Sequence, residues 1–368
     1  MHSANSSADS IRVPNRRPIS WRGQPARVPV RWCAALLALL ATVAVRAATV
    51  TWTGGSGDWS APANWSSGAL PGTNDDVVIG PGPAITVTHS SGSDAVSSIQ
   101  SQQAFVLSGG SLAVSASFQA NGGLTLSGGT LQNATVVATN AAPLVVNGSG
   151  TLDEVTVNGV LDVGNTYTAN LTVTNGLVLN GTALVGNRTN SNYGGIQFAG
   201  SQTLSGSGTV IFGNWYGGYE NQNALYLGSG GTTLTVGPGI TVRGEIGMIG
   251  AAAYPWDRPT NVALINRGTI SADVSGGRIT VNAQPFSNEG SAQGTNGGVL
   301  TLNGSTSNTG TLSVAAGSGL NFGGSWTNAG TFNSTNAAIG LGGTFILSDL
   351  GSFNALGDKV YLTGTLSN

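Results

Sequence analysis

The stretch "NTGTLSVAAGSGLNFGGSWTNAGTF", Asn308 to Phe332, opens on an N-x-G-T and closes on a second one twenty residues later. The signature extends upstream as "NRG" at Asn266 and "NEG" at Asn288, so the gaps along the series are 22, 20 and 20 residues. "DLG" at Asp349 continues it after 21 residues, and the terminal Asn368 falls 19 further on. Between the signatures the apolar residues alternate: Leu312, Val314, Leu320 and Phe322, then Ile339, Leu341, Phe345 and Leu347, with Ser, Thr, Asn and Gly between them. Alternation over a few residues, ended by Gly or Asn, predicts half-buried strands joined by tight turns.

A constant period near twenty has a direct physical meaning. Each unit holds two or three short strands that cannot bury an apolar face alone. Stacking unit on unit pairs each strand in parallel with its copy above and below and buries one continuous core. The prediction is an all-β chain, a right-handed parallel β-helix (β-solenoid) of roughly 20-residue rungs. With rungs about 4.8 Å apart, roughly fourteen of them make a rod of about 65–70 Å. Asparagine suits such a column because its amide can hydrogen-bond to the next copy; glycine suits the corners. Weaker echoes lie upstream. "LSGGSL" at Leu107 recurs as "LSGGTL" at Leu126, and "GSGTL" at Gly148 recurs as "GSGTV" at Gly206, 58 residues on, or about three periods. An antiparallel sandwich explains the alternation but not a signature at constant spacing. After Ala47 the chain lacks the clustered helix formers of an amphipathic helix.

The first 47 residues read differently. A basic segment with six arginines precedes the apolar run Cys33 to Val45, "CAALLALLATVAV", which is too short to span a membrane. "VRAA" follows, so residues 1–47 read as a signal peptide cleaved after Ala47, and the expected location is outside the inner membrane, extracellular or on the outer cell surface. Cleavage removes the only cysteine, Cys33, and leaves six basic against fourteen acidic residues, a net charge of about −8. No disulfide or thiolate metal site is then expected. Nucleic acid is an unsuitable partner for so acidic a chain, and the mature chain has no membrane-spanning segment.

Residues 48–82 carry "TWTGGSGDWSAPANW", with three of the eight tryptophans. Asp58 stands off register for a calcium-binding nonapeptide, and the run lacks the Lys-Ser/Thr of a phosphate loop. The expected role is a cap in which Trp52, Trp59 and Trp65 pack over the open end of the first rung; a sugar-stacking patch is the alternative. Asp75-Asp76 and Asp153-Glu154 are adjacent on extended chain and so point to opposite faces; both are read as turn or solvent positions, with calcium the alternative at the first pair. His89, the only histidine after the leader, has no assignable partner. The basic residues Arg188, Arg243, Arg258, Arg267, Arg278 and Lys359 are read as scattered without acidic company, which speaks against an enzyme. No catalytic residue, metal or cofactor is assigned.

Residues 83–265 read as solenoid with irregular rungs, broken between 213 and 263 by "NWYGGYENQNALY" and "GAAAYPWDRPTN"; residues 266–368 are the regular repeats. Insertions in a solenoid leave it as loops on one side. Trp215, Tyr216, Tyr219, Tyr254 and Trp256 are therefore the candidate binding residues, stacking on a glycan or anchoring a host or cell-surface protein; covering an irregular rung is the alternative.

The run "TWTGGSGDWSAPANWSSGALPGTNDDVVI" resembles an N-terminal module of secreted bacterial β-solenoid proteins, and "ALINRGTISADVSGGRITVN" with the N-x-G-T series is similar to repeats of filamentous-haemagglutinin-like and autotransporter-passenger adhesins. The resemblance covers most of residues 48–368. It implies passage through export machinery and display as an adhesin-type or extracellular scaffold without catalysis; a carbohydrate-binding or carbohydrate-active β-helix using the 213–263 loops is the other reading. "NPNG", a two-partner-secretion signature, is missing, and "GTLSN" ends on the first residue of a new repeat, the pattern of a truncated array.

Overall fold

The computed structural model describes residues 47–214, 222–252, 254–257 and 259–367. The signal-peptide segment, apart from Ala47, lies outside them, as do Trp215, Tyr216 and Tyr219. The chain is a parallel β-solenoid of about 13 turns, with rungs roughly 21 residues apart. Among the described residues the only helical pieces are two short 3-10 turns, Pro62–Asn64 and Leu347–Leu350.

Each rung has three strands and hence three faces. One rung runs Ala104–Leu107, Ser111–Val114 and Ser117–Ala120, and these define the first, second and third faces. The first face is a sheet of fourteen strands, from Gly57–Asp58 to Ser352–Leu356. The second and third faces belong to one larger sheet, because the strands Ser149–Asn158 and Ala169–Leu179 round the corner between them unbroken. Among the described residues all strand pairings are parallel, and the one antiparallel contact is the isolated bridge of Trp52 with Trp65. Strand Thr49–Thr51 already pairs with Asp76–Ile79, so the tryptophan-rich segment takes part in the first rungs.

The alternation reads out as expected. Leu312, Val314, Leu320 and Phe322 are all buried, as are Ile339, Leu341 and Phe345. They join one apolar core that runs from Val50 to Phe345. Leu347 departs from the pattern: it is 69% exposed, because the 3-10 turn takes it off the strand.

The four asparagines form one column on the third face, in the register Asn266, Asn288, Asn308, Asn328. All four are buried. Each Nδ2 donates to the Oδ1 of the next copy at 2.8, 2.7 and 2.7 Å. The same amides reach backbone carbonyls beyond the corner, Asn266 to Ser291 at 2.9 Å and Asn288 to Thr311 at 3.1 Å. The ladder thus satisfies polar groups that the turn would otherwise leave buried and unpaired. The signature glycine is required by its neighbour. A Cβ on Gly310 would overlap the carbonyl oxygen of Gly290, and one on Gly330 that of Gly310.

Two sequence expectations fail here for physical reasons. Asp349 does not continue the ladder. The 3-10 turn Leu347–Leu350 takes it off the strand, and its carboxylate accepts from the Ile346 N–H at 2.8 Å, while Asn328 donates to the Leu350 carbonyl at 2.8 Å. The echo of "GSGTL" at Gly206 is out of register. Thr151 pairs with Thr172 on the second face, whereas Thr209 pairs with Thr182 on the first. "LSGGSL" and "LSGGTL" are true equivalents, with Leu107 paired to Leu126. The described strands within 213–263 are also more regular than the composition implied. Ala224–Leu227, Thr233–Val236, Thr241–Gly244 and Ile246–Gly250 all keep the parallel register.

Candidate functional site

Around residue 250 the outer surface of the second face is itself apolar. Gly195, Ala224 and Met248 are register partners along it, as are Gln197 and Tyr226. Ala224, Tyr226, Met248 and Ala252 form a second small core outside the sheet, and Trp256 packs against it. Ala252 and Trp256 therefore lie down on the solenoid. Trp256 stacks on Tyr226 with ring centroids 5.2 Å apart and 21° between planes, and its Nε1–H donates to the Gln222 carbonyl at 2.8 Å. Tyr226 is fully buried, its hydroxyl 2.8 Å from Asn170 Oδ1. A Cβ on Gly195 would sit 2.8 Å from both rings, so glycine is what admits the tryptophan.

Two tyrosines that the sequence did not single out complete this outcrop. Tyr193 lies edge-on to Trp256 at 6.0 Å and to Tyr167 at 4.9 Å. Both come from turns between the first and second faces, in successive rungs. Tyr193 is buried, while Tyr167 and Tyr254 are 61% and 66% exposed. Burial, the hydroxyl of Tyr167 and the nearby Tyr254 push the Tyr193 phenol up to about 12. Of the candidate residues, Trp256 is thus a half-buried bracket, matching the alternative of a cover for the irregular rung. Tyr254 is the exposed one. Trp215, Tyr216 and Tyr219 lie outside the described residues.

The other marked residues resolve into structure. Trp52, Trp59 and Trp65 are at most 6% exposed and pack edge-on at 4.8 and 4.7 Å, with Trp59 reaching Phe105 at 5.9 Å. Rings so buried have no face left for a sugar. Asp58 caps a local turn by accepting from the Ser60 N–H at 2.9 Å and from its hydroxyl at 2.6 Å. Asp75 accepts from the Gly72 N–H at 2.7 Å, and Asp76 from the Ser98 hydroxyl at 2.6 Å.

His89 does have a partner. Its Nε2 lies 2.9 Å from Asp94 Oδ2 and its Nδ1 3.0 Å from the Gly109 carbonyl. The ring is fully buried and both nitrogens are engaged, so neither is left for a substrate proton. Three of the basic residues do have acidic company, and Arg258 lies outside the described residues. Arg188 pairs with Glu245 at 2.8 Å, Arg243 with Asp273, and Arg267 with Glu289 at 2.9 Å. The last pair occupies the x position of successive signatures, so the ion pairs join rungs that composition alone could not bring together.

A separate groove of about 730 Å³ opens at the corner between the second and third faces. Glu154, Asn175 and Gln202 stand along it in successive rungs, with Thr156, Val178 and Ser205 in line on the third face. No protein-family model matches the chain, and comparison with curated proteins and with solved structures finds no similar one.

Proposed function

We propose that the chain is a non-catalytic, exported β-solenoid, an adhesin-type or extracellular scaffold that meets its partner through the outcrop on the second face. The observation that carries this reading is the pair of exposed tyrosines, Tyr167 and Tyr254, held on a bracket of buried Tyr193, Tyr226 and half-buried Trp256. Aromatic rings with a fixed base offer contact area at low entropic cost. A stack of paired rungs gives them a stiff mount, so the mechanism is presentation. The similarity of the N-x-G-T series to adhesin repeats, and the signal-like leader, support export to the cell surface.

The second reading is a carbohydrate-binding or carbohydrate-active β-helix using the same loops, favoured by the exposed tyrosine faces, which suit the apolar side of a sugar ring. Binding of the purified chain to a glycan array and to intact cells tests both readings. The scaffold reading expects cell-surface binding that the double variant Tyr167→Ala/Tyr254→Ala abolishes without altering the far-ultraviolet circular dichroism. Capture of defined glycans, lost in the same variant, would move the reading to carbohydrate binding. Release of sugars or unsaturated products from polysaccharides would overturn the non-catalytic claim.

A further inference from the structure

We infer that the corner groove between the second and third faces is a binding site for an uncharged oligosaccharide, independent of the tyrosine outcrop. Its lining comes from four successive rungs, between Asn133 and Ser205. Three steps of ~4.8 Å make it about 14 Å long, room for two or three sugar residues. Its volume, about 730 Å³, falls in the range of ligand sites.

The groove's chemistry is selective. Thr156, Thr203, Ser205 and Glu154 line the groove, and among the described residues their side chains make no hydrogen bond to the protein. Val178, half-buried between Thr156 and Ser205 in the pairing register, offers an apolar spot for the C–H face of a ring. Hydroxyl and carboxylate oxygens around an apolar floor match a sugar. No lysine, arginine or histidine lines the groove, and its one ionisable group is a carboxylate. A uronate, sulfate or phosphate would meet repulsion with nothing to offset it.

Glu154 is the anomalous residue. The corner requires left-handed backbone, and Asn133, Glu154 and Asn175 stand there with φ of 56°, 55° and 55°. Asparagine tolerates that conformation; glutamate does so poorly. Its neighbours in the column show what the fold alone prefers. A glutamate in their place, with an unpartnered carboxylate over a groove, is backbone strain of the kind that accompanies sites. The wall behind it is fixed. Asp153 accepts from Asn175 at 2.6 Å and from Gln132 at 3.0 Å, and the Gln202 amide is held by the Gly176 N–H at 3.0 Å and the Val173 carbonyl at 2.8 Å. A site already ordered loses little entropy when it binds.

The test is calorimetric titration of the chain with cellotriose, mannotriose, maltotriose and laminaritriose, and with trigalacturonate as the anionic control. At least one neutral trisaccharide should bind saturably, and trigalacturonate should not. Glu154→Asn and Ser205→Tyr should each weaken that binding at least tenfold. Glu154→Asn should also melt at the same temperature as the parent or higher, because asparagine accepts φ near 55°; that separates lost binding from lost folding. Tyr167→Ala/Tyr254→Ala should bind as the parent does. The inference is overturned if no neutral trisaccharide binds, if trigalacturonate binds equally well, if binding survives both groove variants, or if the tyrosine variant abolishes it. A failed groove leaves the outcrop reading standing, since the two sites are read by different variants.

Discussion

Asn288 donates its side-chain amide to Asn308 Oδ1 at 2.7 Å, twenty residues ahead in sequence and one rung ahead in space. Both side chains are shut inside the solenoid. An amide is suited to this position because it donates upward and accepts from below, so each copy satisfies its neighbour and the bonds run along the stack. The ladder makes register a buried hydrogen-bonding requirement as well as an apolar one.

Replacing Asn308 by Ala breaks two rungs of the ladder and leaves Asn328 Oδ1 buried without its donor. The expected loss is about 2–4 kcal/mol. Asn266→Ala should cost roughly half as much, since Asn266 heads the column and its Oδ1 already lacks a partner. Urea denaturation of the two variants, followed by circular dichroism, measures the difference; equal losses would mean that the ladder is not a connected unit.

At the signature glycine, Gly310→Ala places a methyl against the Gly290 carbonyl and must push two rungs apart. A destabilisation of at least ~2 kcal/mol is expected. The adjacent x position is an internal control. It holds Arg267, Glu289, Thr309 and Ala329 in successive copies, and Ala329→Ser should be neutral within ~0.5 kcal/mol. Thermal melts of both variants check the contrast.

On the outer face, Gly195→Ala should lift Trp256 off Tyr226 while leaving the main core intact. The signature is a red-shifted and weakened tryptophan fluorescence that accompanies an unchanged β-sheet circular dichroism spectrum. A loss of sheet signal in step with the fluorescence change would show that the outcrop and the solenoid are one cooperative unit.

Tyr193 should ionise later than an ordinary tyrosine. Its phenol is pushed up to about 12 from an ordinary value of 10.0, so the neutral form is the one the fold favours. The stability this contributes is complete below pH ~10, the unfolded value, and disappears as pH rises toward about 12. Absorbance at the phenolate band during alkaline titration should show a late-ionising step that Tyr193→Phe removes.

Much of the fold was legible because a solenoid writes its register into the chain. The column of Asn266, Asn288, Asn308 and Asn328 follows from spacing, and the burial of Leu312, Val314, Leu320 and Phe322 from alternation. The site residues were less legible because they meet across irregular rungs. Tyr167, Tyr193 and Trp256 come together only once the lengths of the intervening turns are known, and Arg188 meets Glu245 across 57 residues. Glu154 was read as a turn or solvent position and is exposed at a corner, but no residue pattern marks a left-handed φ when the position holds a glutamate, so the groove it stands over was not foreseen. Asp349 follows its asparagine neighbours in spacing, but the 3-10 turn Leu347–Leu350 carries it off the strand, and no spacing marks that turn.

In a parallel stack, equivalent positions climb in equal steps. Thr235, Ser287, Ser307 and Thr327 are register partners on the outer surface of the third face, with Ile265 between the first two. Spin labels placed in pairs with Thr327 measure that climb by electron paramagnetic resonance. Backbone separations of about 5 Å to Ser307, 10 Å to Ser287 and 19 Å to Thr235 are expected, one increment of ~4.8 Å per rung. Label-to-label distances that fail to rise with rung number, or that place Thr235 and Ser287 equally far from Thr327, would contradict it.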